Sequence, residues 1–269
     1  MNFHNDEWIM ERVQEHYNEA LKHFPEDRIV GIFYQGSGNY GLDTPTSDVD
    51  TKLIITPTFK DLAMNKQPVS TTHVRSNDEH TDWKDVRLYI QTFRKQNLNF
   101  LEILFTPYAI VNPLYKTEWD RLVEARELIT HYDPVRAIKS MQGVAYTKYK
   151  QLENESPSHI EAIKKFGYSP KELHHLFRVE EYISRYTNGE SYTNCLLSNK
   201  AEFLKSVKNG CYTLGDARWM AKVSIERIDE MCEKFLETCD NTVDESVNEL
   251  LDDVQYNIME IAIKKDIGD

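Results

Sequence analysis

The chain contains no apolar run approaching the roughly 18–20 residues that cross a bilayer, so no membrane-spanning helix is expected. Cysteine is scarce, with four residues in 269. Cys195, Cys211, Cys232 and Cys239 follow no common zinc-binding spacing, and no histidine pair completes one. They are expected as free thiols in a reducing compartment. Basic residues are in the minority: 32 Lys and Arg stand against 44 Asp and Glu, a formal net charge of −12. That balance argues against a broad basic surface that coats nucleic acid, and leaves room for a local basic groove. The opening residues Met-Asn-Phe-His-Asn-Asp-Glu lack the basic and apolar regions of a secretory signal, so a cytoplasmic location is expected. No internal repeat or low-complexity tract is present. What remains is 40% hydrophobic and 28% charged, the balance of a soluble globular chain with one large or two modest domains.

Apolar positions Trp8, Ile9, Val13, Tyr17, Ala20, Leu21 and Phe24 recur in steps of mostly three and four. This predicts an amphipathic helix over 7–24, stopped at Pro25. The β-rich run from Arg28 to Tyr34 predicts a buried strand that ends in a tight turn, Gln35-Gly36-Ser37-Gly38. Residues 39–47 read as loop, and a second strand runs from Val49 to Ile55. A third strand is expected somewhere between Val69 and Trp83, and Asp85 reads as the N-cap of a following helix. After Tyr132-Asp133-Pro134 the pattern is helical almost throughout. The expected fold is α+β: a small mixed β-sheet domain with flanking helices over 1–132, then an all-helical domain over 133–269.

The chemistry concentrates in Gly36-Ser37 and Asp48-Val49-Asp50. A turn of small residues exposes backbone N–H groups and lets phosphate oxygens approach closely. Ser37 adds a hydroxyl. In a strand, residues two apart point to the same face, so Asp48 and Asp50 converge. Adjacent carboxylates repel, and a hard divalent cation relieves the repulsion. Mg²⁺ is commonly held by one or two carboxylates together with substrate phosphates. A Gly-Ser turn alone is commonplace, and so is a lone Asp-x-Asp. Joined by a strand on either side, they describe a phosphoryl-transfer site. Lys52 stands four residues after Asp48 on the same strand face, placed to balance the carboxylates or reach substrate. Lys171, His174 or His175, and Arg178 share one helix face, a candidate clamp for the outer phosphates. The plain alternative for that face is a solvated helix surface.

Gly36-Ser37-Gly38-Asn39-Tyr40-Gly41 followed by Ser47-Asp48-Val49-Asp50 resembles the signature of the DNA polymerase β-like nucleotidyltransferase superfamily, and within it a bacterial and phage branch of uncharacterised nucleotidyltransferases. Arg94 to Phe105 and Tyr168 to Arg178 resemble further parts of that branch, and the resemblance spans roughly residues 28–190. It implies an enzyme that moves a nucleoside monophosphate from an NTP to an acceptor with release of pyrophosphate, using Mg²⁺ or Mn²⁺. The acceptor class stays open among an RNA end, a protein and a small molecule. The resemblance also implies a third carboxylate on a neighbouring strand. Asp82 is the first candidate, with Glu79 and Asp85 as alternatives. The expected site is then Asp48, Asp50 and Asp82 for metal and catalysis, with Gly36, Ser37, Lys52, Lys171, His174 and Arg178 on the nucleotide. A second expectation is a regulatory or toxin–antitoxin-type module that binds or acts on a partner protein.

Overall fold

The computed structural model describes residues 3–45, 47–157 and 159–268. It is an α+β protein, with a five-stranded mixed sheet, flanking helices and a helical region. Two compact units can be distinguished. The first comprises Met1–Asn39, Asp43–Tyr132 and Val243–Asp269; the second comprises Tyr40–Leu42 and Asp133–Thr242.

The first unit contains α1 (Asp6–Ala20), β1 (Ile29–Gln35), β2 (Asp50–Ile55), α2 (Phe59–Ala63), β3 (Ser70–Val74), β4 (His80–Asp85), α3 (Val86–Arg94), α4 (Leu98–Leu101), β5 (Ala109–Val111), α5 (Lys116–Glu124) and α6 (Arg126–His131). The second contains α7 (Pro134–Gln151), α8 (Ile160–Phe166), α9 (Pro170–Thr187), α10 (Tyr192–Leu196), α11 (Ala201–Lys208) and α12 (Leu214–Thr238). The last helix, α13 (Glu245–Ile267), belongs to the first unit.

Helix starts follow local chemistry. The Asn5 side chain accepts from Trp8 N–H to open α1, and Asp85 accepts from Arg87 N–H to open α3. Asp133-Pro134 and Ser169-Pro170 each place a capping side chain before a proline whose missing N–H costs nothing in a first turn. In the second unit α9 is central. It packs against α7, α10, α11 and α12 and buries Leu173, Leu176, Val179, Tyr182, Ile183 and Tyr186.

The strand order is β3-β4-β2-β1-β5. β1 is antiparallel to both its neighbours, and β2 is parallel to β4. β1, an interior strand, reads Ile-Val-Gly-Ile-Phe-Tyr-Gln and is buried almost to its end, as a strand covered on both faces requires. Three features depart from the sequence reading. The single strand expected between Val69 and Trp83 is a hairpin, β3 and β4, turned at Asp78, whose φ is +64°. Short α2, β5 and α10 were not anticipated, because three to five residues carry too little periodicity. Helix α13, expected in the helical domain, is part of the first unit. Its buried residues are Val247, Leu251, Val254, Ile258 and Ala262; Asp252 and Asp253 pair with Arg94 and Arg121, both at 2.6 Å. An apolar stripe announces that a helix face is covered, but not by what.

One sheet face is packed on α1, through Ile9, Val13, Tyr17, Ile32, Tyr34 and Leu53 among others. Polar groups are buried within that contact. His16 Nδ1 lies 2.9 Å from Thr51 Oγ1 and 3.0 Å from Thr81 Oγ1, and His16 Nε2 lies 2.8 Å from Glu79. Glu79 also accepts from Arg12 and from Val49 N–H, and Arg75 stands 3.5 Å away. Burial pushes the Glu79 carboxyl up, but hydrogen bonds from His16 and Arg12 outweigh it and hold it at about 2. A carboxyl whose pKa falls on folding stabilises the fold above its unfolded value, near 4.5, and loses that effect as the pH drops towards 2. Glu79→Gln is therefore expected to destabilise the protein at neutral pH by up to about 3–5 kcal/mol, the range for removing one partner of a buried pair. Urea denaturation of both proteins should show the gap shrinking between pH 4.5 and 2; a gap independent of pH would refute the ionic reading.

Candidate active site

The turn after β1 is built around Tyr34. Its ring is buried, and its hydroxyl accepts from Gly38 N–H at 3.0 Å. A Cβ on Gly36 or on Gly38 would stand 2.8 Å from that hydroxyl, so both positions need glycine for close approach. Asn39 ties the turn down: its side-chain amide donates to Tyr34 O, and its carbonyl oxygen accepts from Thr106 at 2.8 Å. Ser37 Oγ donates to Ser47 Oγ at 3.2 Å, and Ser47 Oγ accepts from Thr44 N–H. The serine hydroxyl thus closes the loop that carries the chain to the aspartates.

β2 begins at Asp50, so Asp48 precedes the strand. The burial pattern nevertheless alternates: Asp48 is exposed, Val49 is fully buried and Asp50 is half-buried. The two aspartates share the side opposite Val49. Register then assembles the rest of the face. Gln35 on β1 is the partner of Asp50, Lys52 on β2 is the partner of Asp82 on β4, and Asp82 is in turn the partner of Thr72 on β3. Gln35, Asp50, Thr51, Thr72, His80 and Asp82 line one cavity of about 340 Å³.

Every charge in this cavity has company. Lys52 Nζ donates to Asp82 at 2.9 Å, and Thr72 donates to the same carboxylate at 2.7 Å. The Lys52 side chain is only 3% exposed, whereas that of Asp82 is 37% exposed, so the cation sits below and the carboxylate opens outward. Lys52 and Lys84 both stand over the Phe100 ring, at 4.2 and 4.6 Å. Burial lowers the Lys52 ammonium below its ordinary range, against the pull of Asp82 and Asp50. Burial raises the Asp82 carboxyl, but Lys52 and the Thr72 hydrogen bond outweigh it, so Asp82 titrates below the usual carboxylate range. Asp50 accepts from His80 N–H at 2.9 Å, with His80 Nδ1 3.3 Å away.

The three carboxylates weighed for the third position separate cleanly. Glu79 is enclosed in the network with α1, and Asp85 caps α3 and pairs with Arg87 at 2.7 Å. Asp82 shares the cavity with Asp50. Gln35, Thr72 and His80 were not singled out from sequence. Nothing in their own segments marks them; pairing between distant strands brings them there. In the second unit, Lys171 is exposed and the Arg178 guanidinium lies 3.3 Å from the centre of the Tyr40 ring. His174 is buried, and its Nδ1 lies 2.9 Å from Leu204 O. Burial lowers its pKa to about 4, which keeps the ring neutral near pH 7. This corrects the expected phosphate-facing role of His174: helical spacing put it with Lys171 and Arg178, but its ring turns into the packing with α11.

No family model and no curated protein matches the chain. Among solved structures it is similar to a nucleotidyltransferase-like protein from Exiguobacterium sibiricum, at 9% identity, with 91% of this chain and 79% of that chain covered and a TM-score of 0.28. A likeness of that degree says nothing of activity, so the functional reading rests on the chain's own residues.

The turn itself is testable. Gly38→Ala should cost about 1–3 kcal/mol, the usual range for inserting a methylene into tight packing. In a Tyr34→Phe background, where the facing hydroxyl is gone, the same substitution should cost less. Equal costs in the two backgrounds, measured by denaturation, would show that the Tyr34 hydroxyl does not set the glycine requirement.

Proposed function

We propose that this protein is a metal-dependent nucleotidyltransferase, which transfers a nucleoside monophosphate from an NTP to a hydroxyl acceptor and releases pyrophosphate. The observation that carries the reading is the shared cavity. Asp50 and Asp82 come from different strands, yet open into one space bordered by Gln35, the residue that leads into the Gly36-Ser37 turn. The donors suit a hard divalent cation, since the carboxylates of Asp50 and Asp82 and the Thr72 hydroxyl all offer oxygen. Asp48, on the same side as Asp50, adds a further carboxylate. When bound there, Mg²⁺ or Mn²⁺ neutralises triphosphate charge and acidifies the attacking hydroxyl.

The protein groups divide the remaining work. The Gly36-Ser37 turn presents small residues to the triphosphate, so its phosphates approach the backbone without a side chain between. Asp82, kept ionised by Lys52, accepts the proton of the acceptor hydroxyl. The acceptor oxygen then forms a bond to the α-phosphorus as the bond to the bridging oxygen of pyrophosphate breaks. Lys52 is buried beneath the carboxylates and limits their mutual repulsion. Lys171 and Arg178 stay candidate phosphate-binding groups on their own helix; the buried His174 does not join them.

A second reading has one observation in its favour. Lys52 already neutralises Asp82, as expected of a site whose third metal ligand has been retired. In that reading the protein is a nucleotidyltransferase-like module that binds or modifies a partner protein.

A thermal-shift series separates the two. Wild type and Asp48→Ala/Asp50→Ala are heated with each NTP, with and without Mg²⁺. The first reading expects a rise in Tm that needs both nucleotide and Mg²⁺ and vanishes in the double variant. At about 100 times Kd the stabilisation is roughly 2.7 kcal/mol. Pyrophosphate release with candidate acceptors should fall at least about 100-fold in Asp50→Asn, the scale of losing one electrostatic contact to a transition state. The absence of any nucleotide-dependent shift would sink the enzyme reading and leave the module.

A further inference from the structure

A second group of ligand-type side chains lies on the other face of the sheet. Glu19 and His23, four residues apart at the end of α1, meet His73 from β3. One ligand atom from each of the three lies within 4.8 Å of the other two. β3 is an edge strand. His73 faces away from the cavity, because its neighbour Thr72 faces into it and strand side chains alternate.

The details favour a cation. The helical path continues past Ala20, with Phe24 N–H donating to Ala20 O. The four-residue spacing therefore keeps Glu19 and His23 on one side. Lys22 takes one carboxylate oxygen of Glu19 at 2.7 Å. The other stands 3.7 Å from His23 Nε2. Ligand atoms at about 2.0–2.1 Å from a tetrahedral ion lie roughly 3.3 Å apart, so this pair needs only a small adjustment. The His73 ring is stacked on Trp83, with centroids 4.6 Å apart and planes at 12°, and His23 lies 4.9 Å from the same indole. Trp83 thus orients both imidazoles. Two imidazoles and a carboxylate form a set that suits zinc and its neighbours in the transition series, with a fourth position left for water. Mg²⁺ prefers oxygen ligands throughout.

We propose that Glu19, His23 and His73 bind one transition-metal ion of the zinc class, which ties the end of α1 to the edge strand β3. This site is separate from the proposed catalytic cavity and does not depend on that reading. Such a tie protects an exposed strand edge and stabilises only the folded state.

Calorimetric titration of the full, tag-free chain with Zn²⁺ tests it. Wild type should bind one equivalent and gain Tm. His23→Gln and His73→Ala should each weaken binding by more than the roughly 10–100-fold that loss of an orienting partner costs, and Glu19→Gln should weaken it as well. Asp50→Asn should bind as wild type does. Unchanged melting of the metal-free variants excludes misfolding as the cause. Ni²⁺ should quench a fluorescence component that Trp83→Phe removes. No binding of Zn²⁺, undiminished binding in both histidine variants, or loss of binding in Cys211→Ser, which removes the exposed thiol, would each overturn the proposal.

Discussion

The parallel pairing of β2 with β4 is the constraint on which the candidate site depends. It matches Lys52 to Asp82 and Thr51 to Thr81. Strand side chains alternate, so a slip of one residue would turn Asp82 towards α1 and a threonine towards the cavity. The register is secured from beneath. His16 on α1 reaches both Thr51 and Thr81, and Glu79 holds His16 while accepting from Val49 N–H. A buried polar cluster of this kind is satisfied in one alignment of the strands. In any other, the same groups lose their partners within the contact with α1, at the cost of leaving buried polar atoms unpaired.

The two faces of the sheet therefore handle charge differently. Beneath, Glu79 is enclosed by Arg12, His16 and Arg75, and its partners use up its acceptor capacity. Above, the cation is the buried partner and the carboxylates reach solvent. Lys52 cannot be replaced by water without leaving Asp82 half-desolvated and unpaired. Asp50 and Asp82 line the cavity, while the Lys52 ammonium is buried against Asp82 and the Phe100 ring.

Much of this was legible in the sequence, residue by residue. Asp85 announces a helix start, because capping is a local hydrogen bond, and Asp133-Pro134 marks where the helical pattern takes over. Gly36 and Gly38 mark a turn, and the apolar run of β1 marks a buried strand. Asp50 is visible because it stands beside Val49 and begins an apolar strand. The failures share one cause. Thr72 and His80 reach the cavity from a hairpin whose two strands looked like one. Glu79 stayed an alternative to Asp82, since the sequence does not say where the strand begins or which of its faces meets the aspartate pair. His174 carries the helical spacing of a phosphate clamp, yet the spacing is the same for a residue turned into its own bundle.

By itself the sequence determined the class of the fold, the turn that follows β1, the pair of aspartates after it and the helical character of the second unit. These rest on interactions between residues close in the chain. Only the tertiary structure decided that Asp82 rather than Glu79 shares a cavity with Asp50, that Lys52 is its buried counter-charge, that α13 belongs with the sheet, and that Glu19, His23 and His73 meet. Each of these depends on the register between β2 and β4 or on which surface covers an apolar stripe. Such choices are made by packing and pairing across tens of residues, and no local pattern encodes them.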